Sequence, residues 1–204
     1  VTWSGMGRAP IAGLRVYPRP VQQPLPVWIA VGGSANSVVR AGRLGLPLML
    51  AIIGGSAERF VPLVELYRKT AQRSGHDPAQ LPVGVHSHAF LADTEEEAIA
   101  TFYEPYAYVM SQLGRERGWS AMTRQQFDML RGPGGALLVG TPDQVTEKIV
   151  AQHELFGPLD RFLAHLSVGT MPHDKVMHAI ELLGTKVAPA VRKAIGTHAS
   201  SSVS

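Results

Sequence analysis

The chain has 204 residues, 45% of them hydrophobic and 17% charged, with a formal net charge of +3 at pH 7. That is a globular composition long enough for one substantial core, and its lysines and arginines are scattered, which argues against a nucleic-acid partner. The absence of cysteine excludes disulfides, thiolate metal sites and a cysteine nucleophile, and no apolar run reaches the roughly 18 residues of a membrane span, leaving a cytoplasmic address without a membrane partner as the default.

The opening from Val1 to Pro26 reads as loop, with neither helix cap nor strand, and its first residue is not methionine; a piece of something longer is expected. Val27 to Val31 is an apolar run bounded by Pro26 and Gly32, too short for a helix and suited to a buried strand. A short helix follows from Ala35 to Leu44, stopped by Gly45, and Leu46 to Ile53 is a second strand-length run. Ser56 is read as the cap of a helix to Arg73, with Phe60, Leu63, Val64 and Tyr67 at helical spacing. Leu81 to Asp93 forms a third strand. Thr94 with Glu97 is the T-x-x-E signature of the next helix, kinked near Pro105. Gly114 to Gly135 is a polar, glycine-rich interruption whose Trp119, Met122 and Phe127 are costly to leave in water, so it reads as a lid or a partner surface. Thr141, Pro142 and Gln144 mark a strong helix start. Arg161 to Val168 is a fourth strand, and Asp174 to Ile195 a closing helix that Pro189 bends or ends. One domain over 1–196 is expected, with a disordered tail over 197–204.

Strand and helix alternate four times, which argues an α/β fold with a parallel sheet covered on both faces. Four such units are half of a TIM (β/α)8 barrel; an open doubly wound sheet is the alternative. Ligands in such sheets gather at the carboxyl ends of the strands, where Gly32-Gly33-Ser34 and Gly54-Gly55 fall. Glycines let backbone N–H groups approach a phosphate, and a following helix N-terminus favours its charge. Plain βα turns are the competing reading. His86 and His88 stand two apart in a strand and point to one face. The H-x-H pattern suggests a metal, but a metal needs further ligands and no other His/Asp/Glu pair stands at a comparable strand end, so no metal is expected; the pair faces flavin or substrate or makes structural hydrogen bonds.

The stretch PLPVWIAVGGSANSVVRAGRLGLPLMLAIIGG resembles the fifth and sixth β/α units of the bacterial-luciferase-like flavin monooxygenases, and HAFLADTEEEAIATFYEPYA resembles their seventh strand and its helix. GTPDQVTEKIVAQHELFGPLDRFLAHLSVGTMPHDKVMHAIELLGTKVAPAVR is similar to that family's C-terminal signature, G-T/S-P-x-x-V-x-x-K-I followed by a strand and a helix. The likeness runs from about Val16 to Arg192.

The resemblance implies a TIM-barrel type of fold of which this chain holds the last four β/α units only, a partial barrel. It implies a flavin-dependent oxidoreductase or monooxygenase using reduced FMN, a deazaflavin coenzyme serving a related branch. The flavin phosphate would rest on Gly32, Gly33 and Ser34 with Ala51, Ile52, Ile53, Gly54 and Gly55, while strand geometry turns His86 and His88 toward flavin or substrate. A small-molecule substrate, a flavin reductase and a homo-oligomer are the implied partners. No catalytic residue carries over, because the family's earlier units, which hold those groups, have no match here. Two other readings stand beside this one: a non-catalytic half-barrel assembly or flavin-binding protein, and a metal-dependent barrel hydrolase resting on His86 and His88 alone. Half a barrel leaves two strand edges bare, with Trp28 or Ile29 and Phe162 or Leu163 facing water, and is expected to self-associate.

Overall fold

The computed structural model describes residues 1–201, with side chains through residue 196. Two short strands, β1 (Trp3–Gly5) and β2 (Arg8–Ile11), form an antiparallel hairpin at the start. The opening is therefore not all loop, and the reason it reads so is plain. Both strands are almost wholly exposed and carry no alternation of apolar residues.

The main sheet is parallel. β3 (Ile29–Val31) pairs with β4 (Leu48–Ala51), and β4 with the long β5 (Val83–Leu91). The first part of β5 also pairs with β7 (Arg161–His165), and its last three residues pair with β6 (Leu138–Gly140). Helices α1 (Ala35–Leu44), α2 (Val61–Arg73), α3 (Glu95–Arg117), α4 (Arg124–Arg131) and α5 (Pro142–Phe156) lie between the strands in sequence. α6 (His173–Leu182) and α7 (Ala188–Ser201) close the chain, joined by a π-helical turn over Leu183–Val187. Pro189 has no N–H for the carbonyl four residues back, and its ring crowds that carbonyl; the wider turn just before it absorbs both effects. Helix α7 occupies the first part of the segment expected as a tail, and 202–204 lie outside the described residues.

Strand alternation divides the sheet's side chains in two. Val31, Leu48, Leu50, Val83 and Val85 pack against Val38, Phe60, Val64 and Tyr67 from α1, α2 and the turn before α2. A second core stacks Phe90, Phe102 and Tyr106, with ring centroids 5.6 and 5.4 Å apart, and Phe127 of α4 closes it. The opposite side chains form three rows across the sheet: Ala30, Met49, Gly84 and Arg161; Ala51, His86 and Leu163; His88 and His165. This second face is only partly covered: Leu163 is 46% exposed and Ala30, Arg161 and His165 are exposed, whereas Met49, Gly84 and His88 are buried. Trp28 and Leu163 stand on it, whereas Ile29 and Phe162 turn into the core. The Arg161 guanidinium lies 4.9 Å from the Trp28 ring centroid, so side chains from β7 and from the residue before β3 meet across this face.

Several helix starts follow their sequence signals, and others depart from them. Thr141 and Gln144 form both halves of a capping box. Thr94 accepts the Glu97 N–H, but the Glu97 carboxylate pairs with Lys175 at 2.6 Å instead of turning back. Ser56 makes no cap for α2; a 3-10 turn over Ala57–Phe60 intervenes, and the Ser56 hydroxyl bonds the Glu58 carboxylate. α3 runs unbroken past Pro105 to Arg117.

Candidate functional site

Because β3 and β4 are parallel neighbours, the turns after them emerge side by side at the carboxyl end of the sheet. A Cβ added at Gly33 or Gly54 would meet nothing within 4 Å, and at Gly32 only the Ala51 carbonyl oxygen at 4.0 Å. Gly33 (φ +125°) and Gly55 (φ +73°) adopt backbone that side chains disfavour. The result is a shallow cradle of bare backbone beside the N-terminus of α1. Arg59 adds a cation, since its Nη1 lies 2.9 Å from where a Gly55 Cβ would stand. A single arginine after a turn carries no sequence pattern, which is why reading the residues alone misses it.

The other residues expected here divide by role. The Ser34 hydroxyl accepts the Ser37 N–H at 3.4 Å and so caps α1. The Ile52 side chain is wholly buried in the core and its N–H is given to the His86 carbonyl at 2.9 Å, so neither is free for a phosphate. Ile53 is half-buried. Ala51 sits on the open face, in register with His86.

His86 and His88 do share the open face, and β7 brings a third imidazole to them. The His88 and His165 ring centroids are 4.7 Å apart, and those of His86 and His165 are 5.6 Å apart. A histidine at the far end of the next strand is the signal that sequence reading passes over. The three rings stack and tilt against one another, and among the described residues no group of His, Asp and Glu is arranged to hold a metal ion. Burial, with His165 nearby, lowers the His86 pKa; burial and both neighbours push His88 down to about 4. His88 Nδ1 and the Tyr106 hydroxyl, on rings 5.4 Å apart, are buried without a hydrogen-bond partner. Burial raises the Tyr106 pKa to about 12.

A pH effect on stability follows. His88 titrates near 4 when folded and near 6.5 when unfolded, so between those values the unfolded chain holds more protons. Stability contributed by neutral His88 is complete above pH 6.5 and is lost as pH falls toward 4. The expected loss is about 2 kcal/mol by the middle of that window. Urea unfolding of wild type and His88→Leu across it should show a clearly shallower pH slope in the variant; equal slopes would remove His88 as the cause.

Above the β4 turn, the segment expected to be irregular contains α4, started by a Thr123–Gln126 capping box. α4 is fastened at its far end. Arg131 pairs with Glu95, which also accepts from Gln144 Nε2 at 3.0 Å, and these hydrogen bonds hold the Glu95 carboxyl below its usual range. Lys148 of α5 gives its ammonium to three carbonyls, those of Arg131 (3.1 Å), Gly132 (2.7 Å) and Leu137 (2.6 Å). Burial, and Arg131 beside it, push the Lys148 pKa down to about 8. Between α4, the end of α3 and the β4 turn lies a cavity of about 680 Å3 that includes Gly55 and Ser56 in its wall.

Parallel β/α units, with glycine turns and a cavity at the strands' carboxyl ends, define an α/β protein. The chain belongs to the luciferase-like monooxygenase family, whose profile matches residues 1–157. Its fold is similar to that of the monooxygenase RslO1 from Streptomyces bottropensis, at 23% identity and TM-score 0.69 over 93% of this chain and 55% of that one. It is similar also to the oxygenating constituent of 3,6-diketocamphane monooxygenase from the CAM plasmid of Pseudomonas putida, solved with FMN (23% identity, TM-score 0.61, 80% of this chain and 48% of that one). A third likeness is to an F420-dependent secondary alcohol dehydrogenase holding an F420–acetone adduct (15% identity, TM-score 0.65, 94% and 56%). The chain thus spans about half the length of these structures. Curated proteins give no match to the sequence. Among the described residues no helix is long and apolar enough to cross a membrane.

Proposed function

We propose that this chain supplies the flavin-phosphate-binding half of a luciferase-like, flavin-dependent oxidoreductase, its four β/α units making half of a (β/α)8 barrel. The observation that carries the reading is the cradle: bare backbone at Gly32, Gly33 and Gly54 on adjacent parallel strands, with Arg59 at its side. Amides at a helix N-terminus and a guanidinium suit a phosphate monoester. FMN is the cofactor favoured by that chemistry, and the deazaflavin F420, named in a structural relative, is the alternative. Bound reduced flavin would supply electrons for oxygen activation or a hydride, while the chain's residues anchor its phosphate and exclude water. A small-molecule substrate, a reductase and a cytoplasmic setting belong to the same reading. The second reading, a half-barrel that assembles with a further copy and has no catalysis of its own, is favoured by the open face and by Leu163 on it.

Gly54→Leu tests the first reading. A Cβ there meets no protein atom within 4 Å, so melting should change little, while FMN affinity should fall at least about tenfold because the side chain fills the phosphate's place. Flavin fluorescence titration gives the affinity, with riboflavin as the phosphate-free control. Equal FMN affinity in variant and wild type would move the phosphate elsewhere, and an FMN affinity no greater than that of riboflavin would do the same.

A further inference from the structure

The cavity over the β4 turn, about 680 Å3, falls in the range of small-molecule pockets. Its apolar wall comes from Met110 of α3, Trp119 and Met122 of the next loop, and Met129 and Leu130 of α4; no Lys, Arg, Asp, Glu or His lines it.

Its polar groups are largely spent on the protein itself. Gln126 Oε1 accepts the Thr123 N–H at 2.9 Å, and the Ser56 hydroxyl bonds Glu58. The Gly55 carbonyl accepts from Ala136 N–H at 3.1 Å, and that of Gly134 from Ala57 N–H at 3.2 Å. The Gly132 carbonyl takes both Lys148 and the Gly135 N–H. The Ser120 hydroxyl, on an exposed residue of the rim, and Gln126 Nε2 carry no such commitment. Arg59 stands against Gly55, Glu58 against Gly134 and Arg117 over Trp119, but none of them lines the space, so a carboxylate or ammonium entering it would exchange water for an uncharged wall.

We propose that this cavity binds a flat, neutral, predominantly aromatic molecule carrying no more than a hydroxyl or carbonyl for Ser120 to meet. Thioethers make favourable contacts with aromatic rings and adapt to their outline, and three of them surround the space. Trp119 stays 49% exposed at the mouth with the Arg117 guanidinium 5.5 Å from its ring, so an aromatic face is held there with surface to spare. Gly55 and Ser56 belong both to this wall and to the second turn of the cradle. Calling the occupant the substrate rests on the flavin reading; the binding does not.

The test is calorimetric titration of the full chain at neutral pH without flavin, using naphthol, naphthoate and octanol as probes, so that failure to bind FMN leaves its result intact. Naphthol should bind saturably, with naphthoate and octanol each weaker by at least about tenfold. Met129 is 64% exposed, so Met129→Glu should keep the wild-type melting temperature; it should lower naphthol affinity at least about tenfold, whereas Met129→Leu should hold it within about threefold. Absence of saturable naphthol binding, equal binding of naphthoate or octanol, or undiminished binding by a folded Met129→Glu would each overturn the assignment.

Discussion

Lys148→Met should destabilise the chain by about 4 kcal/mol, well beyond the roughly 1 kcal/mol expected for removing the cap in Thr141→Ala. The ammonium serves the carbonyls of Arg131, Gly132 and Leu137, which end α4 and begin β6. A thioether of similar length fills the space, leaves the Arg131 and Leu137 carbonyls without the ammonium at a cost on the order of 1–3 kcal/mol each, and leaves Gly132 with the Gly135 N–H alone. The relief of a buried charge offsets part of that, which is why the estimate lies below the upper end of the sum. Urea denaturation of the two variants decides it. A Lys148→Met loss no larger than that of Thr141→Ala would show that water replaces the ammonium freely.

Gly135→Val should cost about 3 kcal/mol and loosen the same corner. A Cβ there would lie 1.9 Å from the Leu130 carbonyl oxygen and 2.4 Å from its carbon, both backbone atoms that no rotamer change can clear. The loop and the end of α4 would have to part. That breaks the Leu137 N–H to Leu130 carbonyl bond at 2.9 Å and the bridge between Ser56 and Gly135. Thermal unfolding measures the cost, and faster hydrogen exchange at Ala136 and Leu137 locates it. Wild-type stability would show that the loop yields to the side chain without cost.

These two residues sit where the sequence is least legible. Strands β3, β4, β5 and β7 and helices α1, α2, α3 and α5 are readable because they carry apolar residues at one period, as in Val83, Val85 and Ala89 or Val145 and Ile149. β6 has three residues after a glycine-rich run, too few for any period to show. α4 had a signal in Thr123 and Gln126, the same T-x-x-Q spacing that marks Thr141 and Gln144, and the glycines around it hid it. The cradle's glycines were legible as turns; its arginine and the third histidine were not, since contacts across 4 residues of loop or between strands leave no local trace. Which face of β3 and β7 lies open depends on register, and register is set by partners distant in sequence.

The π turn ahead of Pro189 has a consequence for how this chain can vary. Along the C-terminal helices the buried residues are Ala179, Leu182 and Val187, with a step of five between the last two, and the partly buried Leu183 and Val191 pack beside them. In a regular helix of 3.6 residues per turn such a step would swing the later residues off the core face. The wide turn takes up the surplus residue and returns Val187 and Val191 to the stripe. This stretch is thus built as though one residue had been inserted into a continuous helix, and a Cβ at Gly184 would touch nothing within 4 Å. Changes of chain length by a single residue can be tolerated at this point, a form of evolutionary slack that the strands, with their strict alternation, do not possess.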